Sequence, residues 1–307
     1  MKITKRKVAI VGCGLVGSST AFSLVTQGVC DEVMMIDINE ERAYGEMLDL
    51  KDSIKYLNRN VQVRTGSYAD CGDMDIIVIT AGAPPRQGQT RLDTLELSAK
   101  ICKAIVEPIM NSGFDGVFIA VSNPVDMIAH YIYKLSGLPK NQVIGTGTAI
   151  DSARLQNDIA QLVKVDPRSV HAYCMGEHGD SQMVPWSVAT VGGKPFYDVI
   201  ADNKEMIGEV DLEKLVYQTT RKGWEILERK GTTYYGIATA CVGIIKAILN
   251  DEKRIIPVST LLEGEYGEHD VYAGVPVVLN RSGAYDVLEI HMTPAELARF
   301  KESASVI

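Results

Sequence analysis

The sequence lacks features that mark several common classes of protein. No apolar run reaches the roughly 18 residues that a membrane-spanning helix needs. The formal net charge is -8 and no basic stripe is present, which argues against a nucleic-acid-binding protein. The six cysteines show neither C-x-x-C nor Cys/His ligand spacing, so no zinc site or disulfide framework is expected. We predict reduced thiols in a cytoplasmic protein.

The composition is that of a folded, multidomain protein. With 46% hydrophobic and 23% charged residues, the chain is unlike a disordered one. Its 307 residues favour two domains over a single core. The pattern of apolar residues changes near Gly145, so we predict domains at residues 1–145 and 146–307.

Short β-branched runs alternate with longer helical patterns in the first half. Such alternation predicts an α/β fold with a doubly wound parallel sheet of the Rossmann type. The predicted strands are 7–11, 33–37, 61–65, 75–80 and 116–121, and the predicted helices are 15–27, 40–56, 92–110 and 124–135.

The second half shows a mixed pattern, from which we predict an α+β domain. A helix is expected at 149–163, followed by short strands and a helical stretch over 203–248 that breaks at Gly231. Strand-like runs at 254–262, 271–279 and 284–290 precede a last helix that Thr293 and Pro294 open.

A glycine motif, Gly12-Cys13-Gly14-Leu15-Val16-Gly17, joins the first predicted strand to the first predicted helix. Gly12 permits a tight turn, Gly14 lets a pyrophosphate approach the backbone, and Gly17 lets the helix pack on the strand. The N-terminus of the helix then faces the phosphates, with Val16 in its first turn. The same apolar run imitates a signal peptide, but the motif favours a folded strand.

Residues at three predicted strand ends add to this candidate cofactor site. Asp37 lies 20 residues after Gly17, where a carboxylate accepts hydrogen bonds from ribose hydroxyls and repels a 2′-phosphate. NAD is therefore favoured over NADP. The other predicted cofactor residues are Thr80, Ala81, Gly82, Ser122 and Asn123. Asn123 is also a candidate for substrate binding, although Asn-Pro is an ordinary turn as well.

The stretch GEHGDS places His178, one of only five histidines, among small polar residues. A histidine titrates near neutrality and can transfer protons, although a surface turn is the simpler interpretation. Asp151 and Arg154 lie three residues apart on a predicted helix and so share one face. If that face meets His178, the carboxylate stabilises the imidazolium and the guanidinium can bind a substrate carboxylate. The alternative is a surface ion pair worth at most about 1 kcal/mol.

Seven segments together resemble the L-lactate and malate dehydrogenase family. In order, from residue 8 to about residue 240, they are GCGLVG, Asp37, AGAPPRQGQTRLD, VSNPVD, GTGTAIDSARLQ, GEHGDS and KGTTYYGIA. The resemblance implies NAD-dependent hydride transfer between a 2-hydroxy acid and its 2-oxo acid, without a metal. It implies that His178 is the acid/base, Asp151 its orienting partner and Arg154 the carboxylate clamp. Arg91 would add positive charge from a mobile loop, although a Pro-rich surface loop is the alternative there.

The resemblance also bears on the substrate. Pro85 stands where lactate enzymes usually have glutamine and malate enzymes arginine, and a proline offers no cation to a second carboxylate. Arg86 beside it keeps malate open. Thr233 matches a lactate-type threonine that leaves room for a small side chain. Pyruvate and lactate are favoured, with larger apolar 2-oxo acids and malate as alternatives.

The resemblance implies a homotetramer or homodimer. Bacterial lactate enzymes often bind a sugar bisphosphate through an arginine and a histidine. Here His171 matches the histidine, but Gln156 replaces the arginine, so activation is not expected; His171 is more simply an interface or core residue. A non-catalytic NAD-sensing module is the alternative from another class. It would need the glycine motif and Asp37 but not the four candidate catalytic and clamp residues together.

Overall fold

The structure is a computed structural model that describes residues 5–82 and 91–307, with only the backbone of residues 91–94. The elements up to residue 145 are β1 (Lys7–Val11), α1 (Leu15–Gln27), β2 (Glu32–Ile36), α2 (Glu40–Ile54), β3 (Gln62–Thr65), β4 (Ile76–Ile79), α3 (Arg91–Asn111), β5 (Val117–Ala120), α4 (Val125–Ser136) and β6 (Val143–Gly145). The later elements are α5 (Ala149–Val163), β7 (Val170–His171), β8 (Thr190–Val191), β9 (Lys194–Pro195), α6 (Phe196–Asp202), α7 (Lys204–Ile207), α8 (Leu212–Lys230), α9 (Tyr235–Leu249), β10 (Arg254–Glu263), β11 (His269–Asn280), β12 (Gly283–Val287) and α10 (Pro294–Ala304).

The chain divides into two compact units. Unit 1 holds the residues up to Thr146 together with Tyr234–Arg254 and Val278–Tyr285. Its parallel strands lie in the order β6-β5-β4-β1-β2-β3. β2, β4 and β5 are buried along their whole length, as expected for a parallel sheet covered by helices on both faces. The strand order reverses between β1 and β4, so their carboxyl ends are the expected ligand-binding edge.

Unit 2 holds Gly147–Thr233, Ile255–Val277 and Asp286–Ile307. α5 packs against α8, and the buried apolar side chains of this region form one core. Trp186 and Phe196 stack within it, with ring centroids 5.5 Å apart. The small sheet β7-β8-β9 is antiparallel, and β11 lies between β10 and β12 in hydrogen-bonding order. The predicted class, a doubly wound parallel sheet followed by mixed helices and strands, is confirmed.

The predicted ends of helices and strands agree with the structure in most places. β1, α1 and α5 begin and end at the predicted residues, and Thr293 caps α10 by accepting the Glu296 N–H at 3.3 Å. The continuous helix predicted from residue 203 to Gly231 is wrong. Gly208 has a φ of 72°, which ends α7, and the helix resumes as α8 only after Asp211 caps it. β6 was not predicted because a three-residue strand carries too little periodicity.

The six cysteines are unpaired and buried. Burial raises the pKa of Cys13 and of Cys30 to about 12, so both stay protonated thiols near neutrality. No helix in the described ranges combines the length and the apolar character needed to cross a membrane.

Candidate active site

The glycine motif forms the turn between β1 and α1, and its three glycines meet three different requirements. Gly12 has a φ of 98°, and a Cβ there would lie 2.7 Å from the nitrogen of Ala81. A Cβ at Gly17 would lie 1.8 Å from the carbonyl oxygen of Gly12, so α1 packs on the turn only because Gly17 lacks one. A Cβ at Gly14 would meet no atom of the described residues within 4 Å. The open space at Gly14 suits the close approach of a ligand.

The N-terminus of α1 is suited to an anion. Its first turn contains no acidic residue, and its N-cap, Gly14, supplies no side-chain hydrogen bond to the first amides. Those N–H groups have no partners within the helix, and the helix dipole adds partial positive charge. Val16 lies in this turn and is half-buried. The turn therefore fits a pyrophosphate, as the sequence predicts.

Asp37 directly follows β2 and is tied to the glycine turn. The backbone N–H of Cys13 donates to its Oδ2 at 2.6 Å, and the N–H of Asn39 donates to its Oδ1 at 2.9 Å. These two bonds fix the carboxylate beside the turn. A carboxylate has about four lone-pair sites, so ribose hydroxyls can still be accepted there.

The ends of β4 and β5 are linked to the same turn. The Thr80 hydroxyl donates to the carbonyl of Gly12 at 2.7 Å, and the Ser122 hydroxyl donates to the carbonyl of Ala81 at 2.6 Å. Asn123 follows Ser122 and its side chain is exposed. A Cβ on the other predicted residue of this edge, Gly82, would lie 3.3 Å from the Ser122 Cβ. The structure thus brings together the predicted cofactor residues in unit 1.

His178, Asp151 and Arg154 lie together in unit 2. His178 Nδ1 is 2.6 Å from Asp151 Oδ2, and Arg154 Nη1 donates to Asp151 Oδ1 at 3.1 Å. Asp151 and Arg154 share a face of α5, as their spacing predicts. The exposed fractions are 2% for the Asp151 side chain, 11% for Arg154 and 25% for His178. The carboxylate is therefore deepest, and part of the imidazole reaches solvent.

The Asp151 carboxylate is ionised despite its burial. Burial on its own raises a carboxyl pKa, but the positive charges and hydrogen bonds of His178 and Arg154 lower the pKa of Asp151 below its ordinary value of 3.8. An ionised carboxylate at Nδ1 favours a proton on that nitrogen. Nε2 is then the ring nitrogen suited to exchange a proton with a ligand.

The backbone holds the histidine loop, which we define as residues 174–183. Met175 and Met183 exchange hydrogen bonds at 2.8 and 2.9 Å. Gly176 exchanges bonds of 2.9 and 2.8 Å with Gly274 of β11. A Cβ at Gly274 would lie 2.5 Å from the Thr148 Oγ1, so the backbone of residue 274 can lie this close to Thr148 only because residue 274 is glycine. Gly274 was not predicted from the sequence, because no recognisable motif surrounds it.

The remaining predicted substrate residues are less completely described. Arg86 and Pro85 lie outside the described residues, and so does the side chain of Arg91, whose backbone begins α3. Thr233 is half-buried in the connection between α8 and α9. These positions stay predictions.

The two residues considered for effector binding have definite places. Gln156 on α5 donates from Nε2 to the carbonyl of Ala172 at 2.9 Å. His171 is exposed on β7 and so is not a core residue of the single chain. Within the described ranges, no group of three His, Cys, Asp or Glu residues could hold a metal ion.

Family models match nearly the whole chain. The lactate/malate dehydrogenase NAD binding domain matches residues 6–145, and the lactate/malate dehydrogenase alpha/beta C-terminal domain matches residues 148–307. The chain is 52% identical over 307 residues to L-lactate dehydrogenase 3 of Bacillus thuringiensis subsp. konkukian, covering 100% of this chain and 97% of the relative. It is 46% identical over 305 residues to an L-lactate dehydrogenase of Lactococcus lactis subsp. cremoris, covering 99% and 97%.

Solved structures show the same similarity. The minor L-lactate dehydrogenase of Enterococcus mundtii, in a ligands-bound form, superposes with a TM-score of 0.96 at 44% identity, covering 99% of this chain and 96% of that one. A lactate dehydrogenase enzyme from a Medee basin deep-sea metagenome library gives a TM-score of 0.95 at 42% identity, covering 99% and 97%.

Proposed function

Since this chain belongs to the lactate/malate dehydrogenase family, we propose that it is an NAD-dependent L-lactate dehydrogenase in which His178 donates and accepts the proton. Relatives that carry the name L-lactate dehydrogenase are 45% to 53% identical over essentially the full chain. The observation that carries the mechanism is the buried Asp151 carboxylate in contact with both His178 and Arg154. The reaction interconverts pyruvate and L-lactate.

NAD is the cofactor of this family's first domain. When bound, its nicotinamide ring supplies or accepts the hydride at C2 of the substrate. Asp37 favours NAD because its charge repels a 2′-phosphate. The residues that we assign to the cofactor are Gly12, Gly14, Val16, Gly17, Asp37, Thr80, Ala81, Gly82, Ser122 and Asn123.

His178 moves the proton. In pyruvate reduction its Nε2 donates a proton to the carbonyl oxygen, which becomes the hydroxyl of lactate. In lactate oxidation the neutral imidazole accepts that proton back. Asp151 stabilises the imidazolium and keeps the ring in one orientation through the 2.6 Å contact at Nδ1. General acid–base assistance of this kind typically contributes about 10²- to 10⁴-fold in rate.

Positive charge binds and polarises the substrate. Only one nitrogen of Arg154 is engaged by Asp151 in the described contacts, which leaves further N–H groups of the guanidinium for the substrate carboxylate. Arg91 is assigned to the developing negative charge on the carbonyl oxygen. Asn123 is assigned to substrate or nicotinamide through its amide.

Thr233 and Pro85 favour a small, uncharged substrate side chain. Thr233 narrows the space available to that side chain, and Pro85 offers no cation to a second carboxylate. Arg86 is the feature that favours malate as a second candidate, because it is a cation beside that position. Pyruvate is the substrate that we propose.

We propose a homotetramer or homodimer in the cytoplasm. The buried, unpaired cysteines fit a reducing compartment. The exposed His171 fits an interface residue rather than a core residue. Residues 1–145 would bind the dinucleotide and residues 146–307 the substrate. The family-model matches to residues 6–145 and 148–307 support this division.

Steady-state kinetics of the purified protein test the proposal. We expect NADH oxidation with pyruvate at a kcat/KM well above those for 4-methyl-2-oxopentanoate and oxaloacetate. His178→Ala should lower kcat/KM by about 10²- to 10⁴-fold. His291→Ala, at an exposed histidine, is the matched control and should act like the wild type. NADH binding without turnover would favour the NAD-sensing module instead.

A further inference from the structure

One buried serine of the last helix contacts the histidine loop from far along the chain. Ser303 lies in α10 and is 0% exposed. Its hydroxyl accepts the backbone N–H of Glu177 at 2.9 Å, across 126 residues of sequence. Its Oγ also lies 3.0 Å from the Oγ of Ser181. Both partners belong to the loop that carries His178.

The hydrogen bonds among Ser303, Glu177 and Ser181 form a closed ring in which each bond donates in the same sense around the ring. The Ser181 hydroxyl donates to Glu177 Oε2 at 2.6 Å, which uses its only proton. The Ser303 hydroxyl must therefore donate to Ser181 Oγ. The sequence of donors runs from the Glu177 N–H to Ser303, from Ser303 to Ser181, and from Ser181 back to the Glu177 carboxylate. The ring fixes both the backbone and the side chain of Glu177.

The loop is shaped to receive Ser303. Gly176 has a φ of 92°, and a Cβ there would lie 2.2 Å from the Ser303 Oγ. The hydroxyl thus fills the space that a side chain at Gly176 would need. Glu177 is only 8% exposed, so its N–H has little access to water if the Ser303 hydroxyl is removed. Loss of this partner removes a hydrogen bond from a buried donor, which costs free energy.

The hydrogen-bonded ring includes Glu177, the residue that directly precedes His178. Asp151 holds the imidazole at Nδ1. The direction in which the imidazole points also depends on the backbone to which the side chain is attached. We propose that Ser303 is a positioning residue for His178, acting through Glu177 and Ser181. This role rests on the proposed function, in which His178 transfers the proton. Arg154 bonds Asp151 on α5, so the substrate carboxylate clamp lies outside the ring.

A positioning role and a merely structural role predict different kinetics. A misplaced imidazole slows the chemical step, and an error of about 1 Å from a remote substitution can cost roughly 10²-fold. A merely structural loss reduces the amount of active protein, which lowers the maximal rate but leaves KM and the kinetic isotope effect unchanged. The isotope effect is measured with NADH deuterated at the transferred hydrogen.

The test compares Ser303→Ala with Ser305→Ala. Ser305 ends the same helix, is exposed, and donates to the carbonyl of Glu302 at 2.6 Å, so it matches the substitution without touching the loop. For Ser303→Ala we expect kcat for pyruvate reduction to fall by roughly ten- to a hundred-fold. KM should stay within about three-fold, and the isotope effect on kcat should rise above that of the wild type. Ser305→Ala should match the wild type.

The outcomes separate the two proposals. If wild type and Ser305→Ala oxidise NADH with pyruvate while Ser303→Ala keeps its kcat or its isotope effect, the positioning role is wrong and the proposed function stands. If the wild type itself does not turn over, the proposed function fails. Should Ser303→Ala not fold, Ser181→Ala breaks the same ring from a partly exposed position, and the same criteria then decide the role.

Discussion

Replacing Asp151 by asparagine removes one negative charge from the site and leaves the size of the side chain almost unchanged. The carboxylate contacts His178 Nδ1 at 2.6 Å and Arg154 Nη1 at 3.1 Å, and its side chain is 2% exposed. At an effective dielectric constant near 20, the Coulomb attraction between two unit charges at the first distance is about 6 kcal/mol. Desolvation offsets a large part of this attraction.

The net effect follows from what remains after the substitution. Removing one partner of a buried ion pair typically costs about 3–5 kcal/mol, because the other charge loses its compensation. If that loss falls on the imidazolium that donates the proton, it corresponds to roughly 10²- to 10⁴-fold in rate. We therefore expect kcat/KM for pyruvate reduction by Asp151→Asn to fall by that factor. NADH affinity, measured by fluorescence titration, should stay within about two-fold because none of the assigned cofactor residues contacts Asp151 in the described hydrogen bonds.

Asp158→Asn provides the matched control. Asp158 lies on the same helix, α5, and pairs with Lys222 of α8 rather than with His178. It should keep wild-type kcat/KM while losing some thermal stability. The reasoning is refuted if Asp151→Asn folds and binds NADH yet retains more than a third of wild-type kcat/KM. It is also refuted if Asp158→Asn loses as much kcat/KM as Asp151→Asn does.

Three further predictions concern the glycine turn, cofactor choice and acid stability. Gly17→Ala should lower the free energy of unfolding by about 1–3 kcal/mol in denaturant titrations, since its Cβ would lie 1.8 Å from the Gly12 oxygen. Gly14→Ala should keep wild-type stability, because the space around a Cβ at residue 14 is open, yet it should bind NADH more weakly. Asp37→Ser should raise the ratio of kcat/KM for NADPH to that for NADH, and an unchanged ratio would contradict the assigned role. Because the pKa of Asp151 is lowered from 3.8, its contribution to stability is present above that pH and is lost as the pH falls through the folded-state pKa. The difference in unfolding free energy between wild type and Asp151→Asn should therefore narrow below about pH 4, which urea titrations at pH 7 and pH 3 would measure.

Several parts of the site could be predicted because the chemistry is local in the sequence. The G-x-G-x-x-G turn encodes part of its own geometry, since Gly12 has a φ of 98° and Gly17 is required by a contact with Gly12 within one strand–turn–helix unit. Likewise the helical repeat places Asp151 and Arg154 on one face of α5 without reference to the rest of the chain.

Other parts could not be predicted, because they depend on residues that come together only on folding. Nothing in the spacing of residues 151 and 178 requires that Asp151 meets the Nδ1 of His178. Burial raises the pKa of Asp151, and it is that contact, together with the Arg154 contact, that lowers the pKa below its ordinary value. Gly274 and Ser303 carry no local motif, although both bond the histidine loop across about a hundred residues of sequence. The break at Gly208 was missed for a related reason, since glycine is tolerated within helices and only its observed φ of 72° shows that the helix ends there.

The sequence by itself determined the strand–helix alternation, the glycine turn and the types of side chain available for proton transfer and carboxylate binding. These follow from periodicity and from steric limits on the backbone, which act over a few residues. The tertiary structure decided which of those side chains lie within hydrogen-bonding distance and which are removed from water. Distance and burial set the strength of electrostatic interactions, so the lowered pKa of Asp151 and its contact with His178 exist only in the folded chain.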